Sequence, residues 1–279
     1  MVLVSGAEVL RTARRKQFAV PQFNVLNLEM VDAVIRTAES LKSPVIVGLV
    51  DRHFPLLDVD ALVYAVKRSA RKAAVPVILH LDHGRTWDRV MEALRLGFTS
   101  VMFDGSLLPL EENARITGEI VRAAHAMGVS VEAELGHVGS RNEGDDNQYT
   151  SAEEAGYFVD RTNVDYLAVS IGNTHGHYRG EAPTFRMDVL RRIHDAVSVP
   201  LVLHGGSETP LSEIHDAISL GIAKINIFTE FAHAYLAGLS ELAGQSRIDY
   251  LDIAAYGKRN AIAVIERKLT EFRSAWQCA

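Results

Sequence analysis

The sequence contains one cysteine, Cys278, next to the last residue. No intramolecular disulfide can form, so packing alone must carry the fold, as expected in a reducing compartment. No apolar run approaches the roughly 20 residues of a membrane-spanning helix. The start, Met1-Val2-Leu3-Val4-Ser5-Gly6, lacks a basic segment followed by a long apolar one and does not read as a signal peptide. A soluble cytoplasmic protein with no membrane partner is expected. Positive charge is also in deficit, 29 Lys+Arg against 35 Asp+Glu for a net charge of −6. That balance argues against a nucleic-acid partner and leaves room for a local basic pocket. Low-complexity tracts, linkers and shifts of composition are missing too. The 279 residues therefore read as one domain, 1–279, large enough to bury a full core.

Short apolar runs alternate with longer amphipathic stretches from end to end. Strands are predicted at Phe18 to Val25, Pro44 to Val50, Pro76 to Asp82, Ser100 to Phe103, Val129 to Leu135, Tyr166 to Ile171, Pro200 to His204 and Ile222 to Ile227. Val, Ile and Leu occupy consecutive positions in them, as in parallel strands buried on both faces. Helical periodicity runs between them, for example over Leu28 to Leu41 and Leu110 to Met127. Eight strand–helix repeats predict an α/β fold, a single-domain (β/α)8 barrel. A doubly wound open sheet would show a glycine-rich first turn, and here that turn is Phe23-Asn24-Val25-Leu26-Asn27. Arg11, Arg14, Arg15 and Lys16 read as the solvated face of a short helix. Two long segments, Gly136 to Thr150 and Gly172 to Phe185, have the length of lids or binding loops.

Barrel chemistry gathers at the C-terminal ends of strands. Those ends carry Asn24, His80 to Gly84, Asp104, Glu132, Glu134, Asn173 to His177, His204 to Ser207, and Asn226 with Thr229. Five of the 11 histidines fall there, His80, His83, His175, His177 and His204. His83, His175 and His204 come from three strands, each followed by glycine. Three protein ligands and an open position make a catalytic zinc site; any one of the three alone would read as a core histidine. His80, His137 and His177 compete for ligand status, with His80 better placed as support beneath the site. Asp82 and His83 alternate along a strand and share one site only if the chain turns at Gly84. Asp82 then either transfers a proton or orients a ligand histidine. Asp104, Glu132 and Glu134 either accept hydrogen bonds from ligand histidines or hold a second cation. Gly205-Gly206-Ser207 and Asn226 to Thr229 follow the last two strands, where barrels cradle phosphate, and Arg179 can add a contact.

In order and spacing, six segments resemble the class II, zinc-dependent ketose-bisphosphate aldolases, near their fructose- and tagatose-bisphosphate branch. They are Phe23-Asn24-Val25, Leu81-Asp82-His83-Gly84, Val131 to Gly136, Ile171 to Gly176, Leu203 to Ser207 and Lys224 to Ile227. The resemblance implies zinc ligands His83, His175 and His204 and a catalytic acid/base, Asp82. It implies phosphate contacts from Gly176, Gly205, Gly206, Ser207, Asn226, Ile227, Phe228 and Thr229, and substrate contacts from Asn24 and Arg179. Asp104 and Glu134 match a second-cation position in some relatives, and Glu143 is the mobile-loop candidate. The implied reaction is reversible cleavage of a ketose 1-phosphate or 1,6-bisphosphate to dihydroxyacetone phosphate and an aldehyde, in a homodimer or homotetramer. Departures cluster on the aldehyde side: Val50 replaces Ser or Thr, Phe228 replaces Asp or Ala, Arg179 replaces Lys, and Arg247 is the only counterpart of an expected arginine. These departures lead to the expectation that the aldehyde is not glyceraldehyde 3-phosphate. Rival readings are a Schiff-base aldolase using Lys224 and a catalytically silent sugar-phosphate-binding or regulatory subunit.

Overall fold

A computed structural model describes residues 3–139, 148–176, 184–245, 247–249 and 251–278. Eight parallel strands close into a barrel in sequence order. They are β1 (Val20–Asn24), β2 (Val45–Val50), β3 (Val77–Gly84), β4 (Ser100–Phe103), β5 (Ser130–Leu135), β6 (Tyr166–Val169), β7 (Leu201–Leu203) and β8 (Ile222–Ile227). The predicted strands hold to within about two residues at each end, because only burial on both faces produces such continuous apolar runs. Crossover helices α2 (Leu28–Ser40), α3 (Val59–Ala70), α4 (Trp87–Leu96), α5 (Leu110–His125), α6 (Ala152–Thr162), α7 (Met187–Ala196) and α8 (Leu211–Ser219) ring the sheet. After β8 come α9 (Thr229–Ala243) and α10 (Asp252–Glu271), which pack on each other, α10 also packing on α2. No described helix is long and apolar enough to cross a membrane.

Helix α1 (Gly6–Lys16) closes the N-terminal end of the barrel. Leu10 and Ala13 pack on Val20, Ile46, Ile78, Ala168 and Val202 inside it. The helix approaches so closely that a Cβ on Gly6 would fall 2.7 Å from the Tyr166 hydroxyl, and the Gly6 N–H donates to Ser130 Oγ at 3.0 Å. Arg14 departs from the expected solvated face. Its guanidinium donates to the backbone carbonyls of Val199, His194 and Val197, pinning α1 to the end of α7.

One irregularity shapes the opposite end. Pairing of β3 with β4 shifts register between Leu81 and Gly84, and His83 takes a left-handed backbone with φ 52°. The turn that brings Asp82 and His83 to one site therefore falls at His83, one residue before the predicted Gly84. Gly84 serves close packing instead: a Cβ there would lie 2.6 Å from the Met102 carbonyl oxygen.

Candidate active site

At the C-terminal mouth the strands enclose a cavity of about 580 Å³. His83, His175 and His204 meet at its floor, with ligand nitrogens all within 4.8 Å of one another. His83 Nε2 and His204 Nδ1 face each other at 3.0 Å, close to the ~3.3 Å between two nitrogens on a tetrahedral zinc. Their outer nitrogens are tied back: His83 Nδ1–H donates to Asp104 Oδ2 at 2.8 Å, and His204 Nε2–H donates to Glu132 Oε1 at 2.9 Å. These carboxylates fix the ring orientations and turn His83 Nε2 and His204 Nδ1 toward each other. Among the described residues, His175 Nε2 is buried without a hydrogen-bond partner. Two anchored imidazoles and one orphaned nitrogen fit a cation with three nitrogen ligands and an open position.

Asp82 lies beside them, 2 % exposed. Oδ2 accepts from Asn24 Nδ2 at 2.7 Å and Oδ1 from Asn226 Nδ2 at 3.0 Å. Each oxygen thus keeps a free lone pair while the carboxylate plane is fixed. Gln22 Nε2 donates to Asn24 Oδ1 at 2.9 Å. Behind this row β2 must carry glycine, since a Cβ on Gly48 would fall 2.0 Å from Asn24 Oδ1. Asn24 and Asn226, expected to touch substrate, line the cavity and also hold Asp82. Gln22 and Gly48 escaped the sequence reading because neither reaches the cavity.

Charge in the floor is strongly coupled. Burial disfavours the Asp82 carboxylate, yet the facing His83, His204, Lys224 and His80 hold its pKa below the usual range. Burial likewise opposes the His83 imidazolium, but Asp82 and the Asp104 hydrogen bond raise it to about 10. Burial and the Asp104 charge push Glu134 up to about 8. His175 is lowered well below its ordinary value by burial and by the other two imidazoles. Glu134 Oε2 stands 3.8 Å from His83 Nδ1 and 3.7 Å from His204 Nδ1. His83, Asp104 and Glu134 thus form a second set of converging donors. That set needs His83 Nδ1, whose proton Asp104 already accepts, so the three-histidine set is the better ready-made site.

A buried polar layer supports this floor. Lys224 Nζ pairs with Glu132 Oε2 at 2.7 Å, both fully buried. His80, also buried, contacts Ser100 through Nδ1 at 2.5 Å and faces Glu132 at 3.6 Å. Burial first, then the Lys224 charge, lowers its pKa to about 3, so it is a neutral support, as expected. Lys224 does not line the cavity and its ammonium is locked in an ion pair, which removes the support for a Schiff-base lysine. His137 lines the cavity and meets Ser106 Oγ through Nδ1 at 3.1 Å. It joins neither donor set, and His177 lies outside the described residues.

Glycine-rich loops form the β6–β8 wall. Gly176, Gly205, Ser207 and Thr229 line it. Gly205 has φ +67°, and a Cβ there would fall 2.1 Å from the Thr174 carbonyl oxygen, so the β6 and β7 loops meet only through glycine. Ser207 Oγ accepts the Glu230 N–H in the first turn of α9 at 3.4 Å. Gly206 and Ile227 sit behind this wall and their side-chain positions do not reach the cavity. Arg247 does not line it either. Arg179 and Glu143 lie outside the described residues. Val50 and Phe228 do line the cavity, and the Phe228 ring packs on His53 with centroids 5.5 Å apart. Leu26, Arg52, Arg85 and Leu236 also line it, beyond the strand ends, where the sequence reading did not look.

Barrel and site together describe an enzyme with a metal-competent centre at the barrel mouth. The chain belongs to the family of fructose-bisphosphate aldolase class-II, whose family model matches residues 4–277. It is therefore an aldolase, a carbon–carbon lyase. It is 40 % identical to the fructose-bisphosphate aldolase of Geobacillus stearothermophilus over 100 % of both chains. It is equally similar, 40 %, to the 6-phospho-5-dehydro-2-deoxy-D-gluconate aldolase of Halalkalibacterium halodurans over 99 % of this chain and 98 % of that one. Among solved structures, the YdjI aldolase of Escherichia coli K12 superposes with TM-score 0.90 at 38 % identity, covering 99 % of this chain and 100 % of that one. Equal identity to relatives named for different substrates leaves specificity to the cavity.

Proposed function

We propose that the enzyme catalyses reversible, zinc-dependent cleavage of a ketose 1-phosphate or 1,6-bisphosphate to dihydroxyacetone phosphate and an aldehyde. The observation that carries this reading is the meeting of His83 Nε2, His204 Nδ1 and His175 Nε2 beside a clamped Asp82. Zinc held by these histidines would supply Lewis acidity to the ketose C2 carbonyl and C3 hydroxyl, where negative charge develops. Asp82 takes the C4 hydroxyl proton as the C3–C4 bond breaks. The bonding electron pair passes into the three-carbon half, and C4 departs as the aldehyde carbonyl. The facing His83, His204 and Lys224 keep the Asp82 carboxyl ionised despite its burial. Protonation at C3 then completes cleavage, with Glu143 as proposed donor.

Gly176, Gly205 and Ser207, in the loops after β6 and β7, and Thr229, at the start of α9, hold the phosphate of the three-carbon half, aided by Arg179. Asp104 and Glu134 anchor His83 and offer a second cation position. A cytoplasmic homodimer or homotetramer is the proposed assembly, in keeping with the prevalence of symmetric oligomers. The test is aldol condensation with dihydroxyacetone phosphate and an aldehyde panel, after EDTA and after zinc repletion. Turnover lost with EDTA and restored by zinc is expected. Zinc binding without turnover of any aldehyde would favour the silent binding subunit.

A further inference from the structure

The row beneath Asp82 has a direction. Gln22, Asn24 and Asp82 are all buried. An asparagine amide has one accepting end and one donating end. Gln22 Nε2 donates to Asn24 Oδ1 at 2.9 Å, and Asn24 Nδ2 donates to Asp82 Oδ2 at 2.7 Å. With its carbonyl end taken by Gln22, the Asn24 amide offers only N–H to the carboxylate. Strand β1 sets the spacing, since residues 22 and 24 alternate to the same face. Strand β2 leaves the room: Gly48 stands in register with Asn24, and a Cβ there would also fall 2.8 Å from Gln22 Nε2. Asn226, the second donor to Asp82, has no such backing. Its Oδ1 is buried without a hydrogen-bond partner among the described residues, so Asp82 alone orients that amide. Gln22 itself does not line the cavity.

We propose that Gln22 is a positioning residue for proton transfer at the C4 oxygen: it fixes the amide of Asn24 and, through it, the plane of the Asp82 carboxyl group. The proposal rests on the aldolase reading above. In that reading Asp82 takes the C4 hydroxyl proton in cleavage and returns it to the aldehyde oxygen in condensation, as the C3–C4 bond forms. Proton transfer at C3 lies outside the reach of this row, because Glu143 is the proposed acid/base there. Loss of Gln22 therefore slows the reaction with an aldehyde and spares hydrogen exchange at C3.

Two rates measured on the zinc-repleted enzyme separate these steps. One is kcat for condensation of dihydroxyacetone phosphate with an aldehyde that the unmodified enzyme accepts. The other is deuterium uptake from solvent at the hydroxymethyl carbon of dihydroxyacetone phosphate, followed by NMR with no aldehyde present. Gln22→Met keeps the length of the side chain and removes the donor. Condensation kcat should fall about 3- to 10-fold, with KM and deuterium uptake near those of the unmodified enzyme. In an Asn24→Ala background the same substitution should change kcat by less than about twofold, since a residue acting only through Asn24 has nothing left to orient. Gly48→Ala, crowding Asn24 Oδ1 from β2, should give the same split between the two rates by an independent route. Parallel loss of both rates makes Gln22 a general support of the site and overturns the proposal, as do effects of Gln22→Met and Asn24→Ala that multiply. No deuterium uptake by the unmodified enzyme sinks the aldolase reading and the proposal with it. Uptake there, with condensation unaltered in Gln22→Met, sinks the positioning role alone.

Discussion

Asp82 is held by two asparagines from strands on either side of the barrel seam, β1 and β8. A base fixed in this way transfers a proton without first searching rotamers, which is where orientation contributes to rate. Asp82→Asn should lower turnover by roughly 10²- to 10⁴-fold while zinc content stays near one ion per chain; retained turnover would reassign the base. Asn24→Ala is the subtler test. It removes one charge-assisted hydrogen bond, worth about 1.5–3 kcal/mol, so kcat is expected to drop by about tenfold or more with little change in KM. Steady-state kinetics read the split directly, and a rise in KM alone would make Asn24 a substrate contact only.

Secondary-structure elements contribute their irregularities. Regular alternation along β3 would turn Asp82 and His83 to opposite faces; the left-handed residue at His83 and the slipped pairing with β4 turn both to the mouth. At the end of β7 the positive φ of Gly205 lets two loops touch. Gly205→Ala combines backbone strain with a clash against the Thr174 carbonyl oxygen, and a loss of about 1–3 kcal/mol is expected in urea unfolding. Lower in the barrel, the Glu132–Lys224 pair links β5 to β8 with no solvent contact. Lys224→Met would leave the Glu132 carboxylate buried without its partner charge, at a cost of roughly 3–5 kcal/mol. Borohydride with substrate should trap no adduct on the unmodified enzyme, as expected for a lysine held in an ion pair.

For the whole molecule, metal and fold are linked because the three histidines stand on β3, in the loop after β6 and directly after β7. Zinc at a thousandfold excess over its Kd would add about 4 kcal/mol to stability. Thermal unfolding should therefore move upward by several degrees on zinc addition, and His175→Ala should abolish most of that gain. No shift with zinc would argue against the three-histidine site. Barrel closure also explains why the outer cavity draws on residues far apart in sequence: Val50 ends β2, Arg85 follows β3 and Phe228 follows β8, and β8 comes near β2 and β3 only when it pairs with β1.

Consecutive Val, Ile and Leu residues sufficed to set the strands, because burial on both faces demands an apolar side chain at every position. Histidines at strand ends were legible as a site for a related reason, since barrels bring strand ends to one place. Sequence patterning reaches no further than periodicity and order. Which nitrogen of His83 faces inward depends on Asp104, a residue of the neighbouring loop. Arg14 reads as one member of a basic helix face until the carbonyls at the end of α7 come into range. Asn24 and Asn226 became supports of Asp82, and Lys224 an ion-pair partner of Glu132, only through contacts between strands. Such contacts depend on strand register, shear and one left-handed residue at the end of β3, properties of the closed sheet that no local stretch of chain encodes.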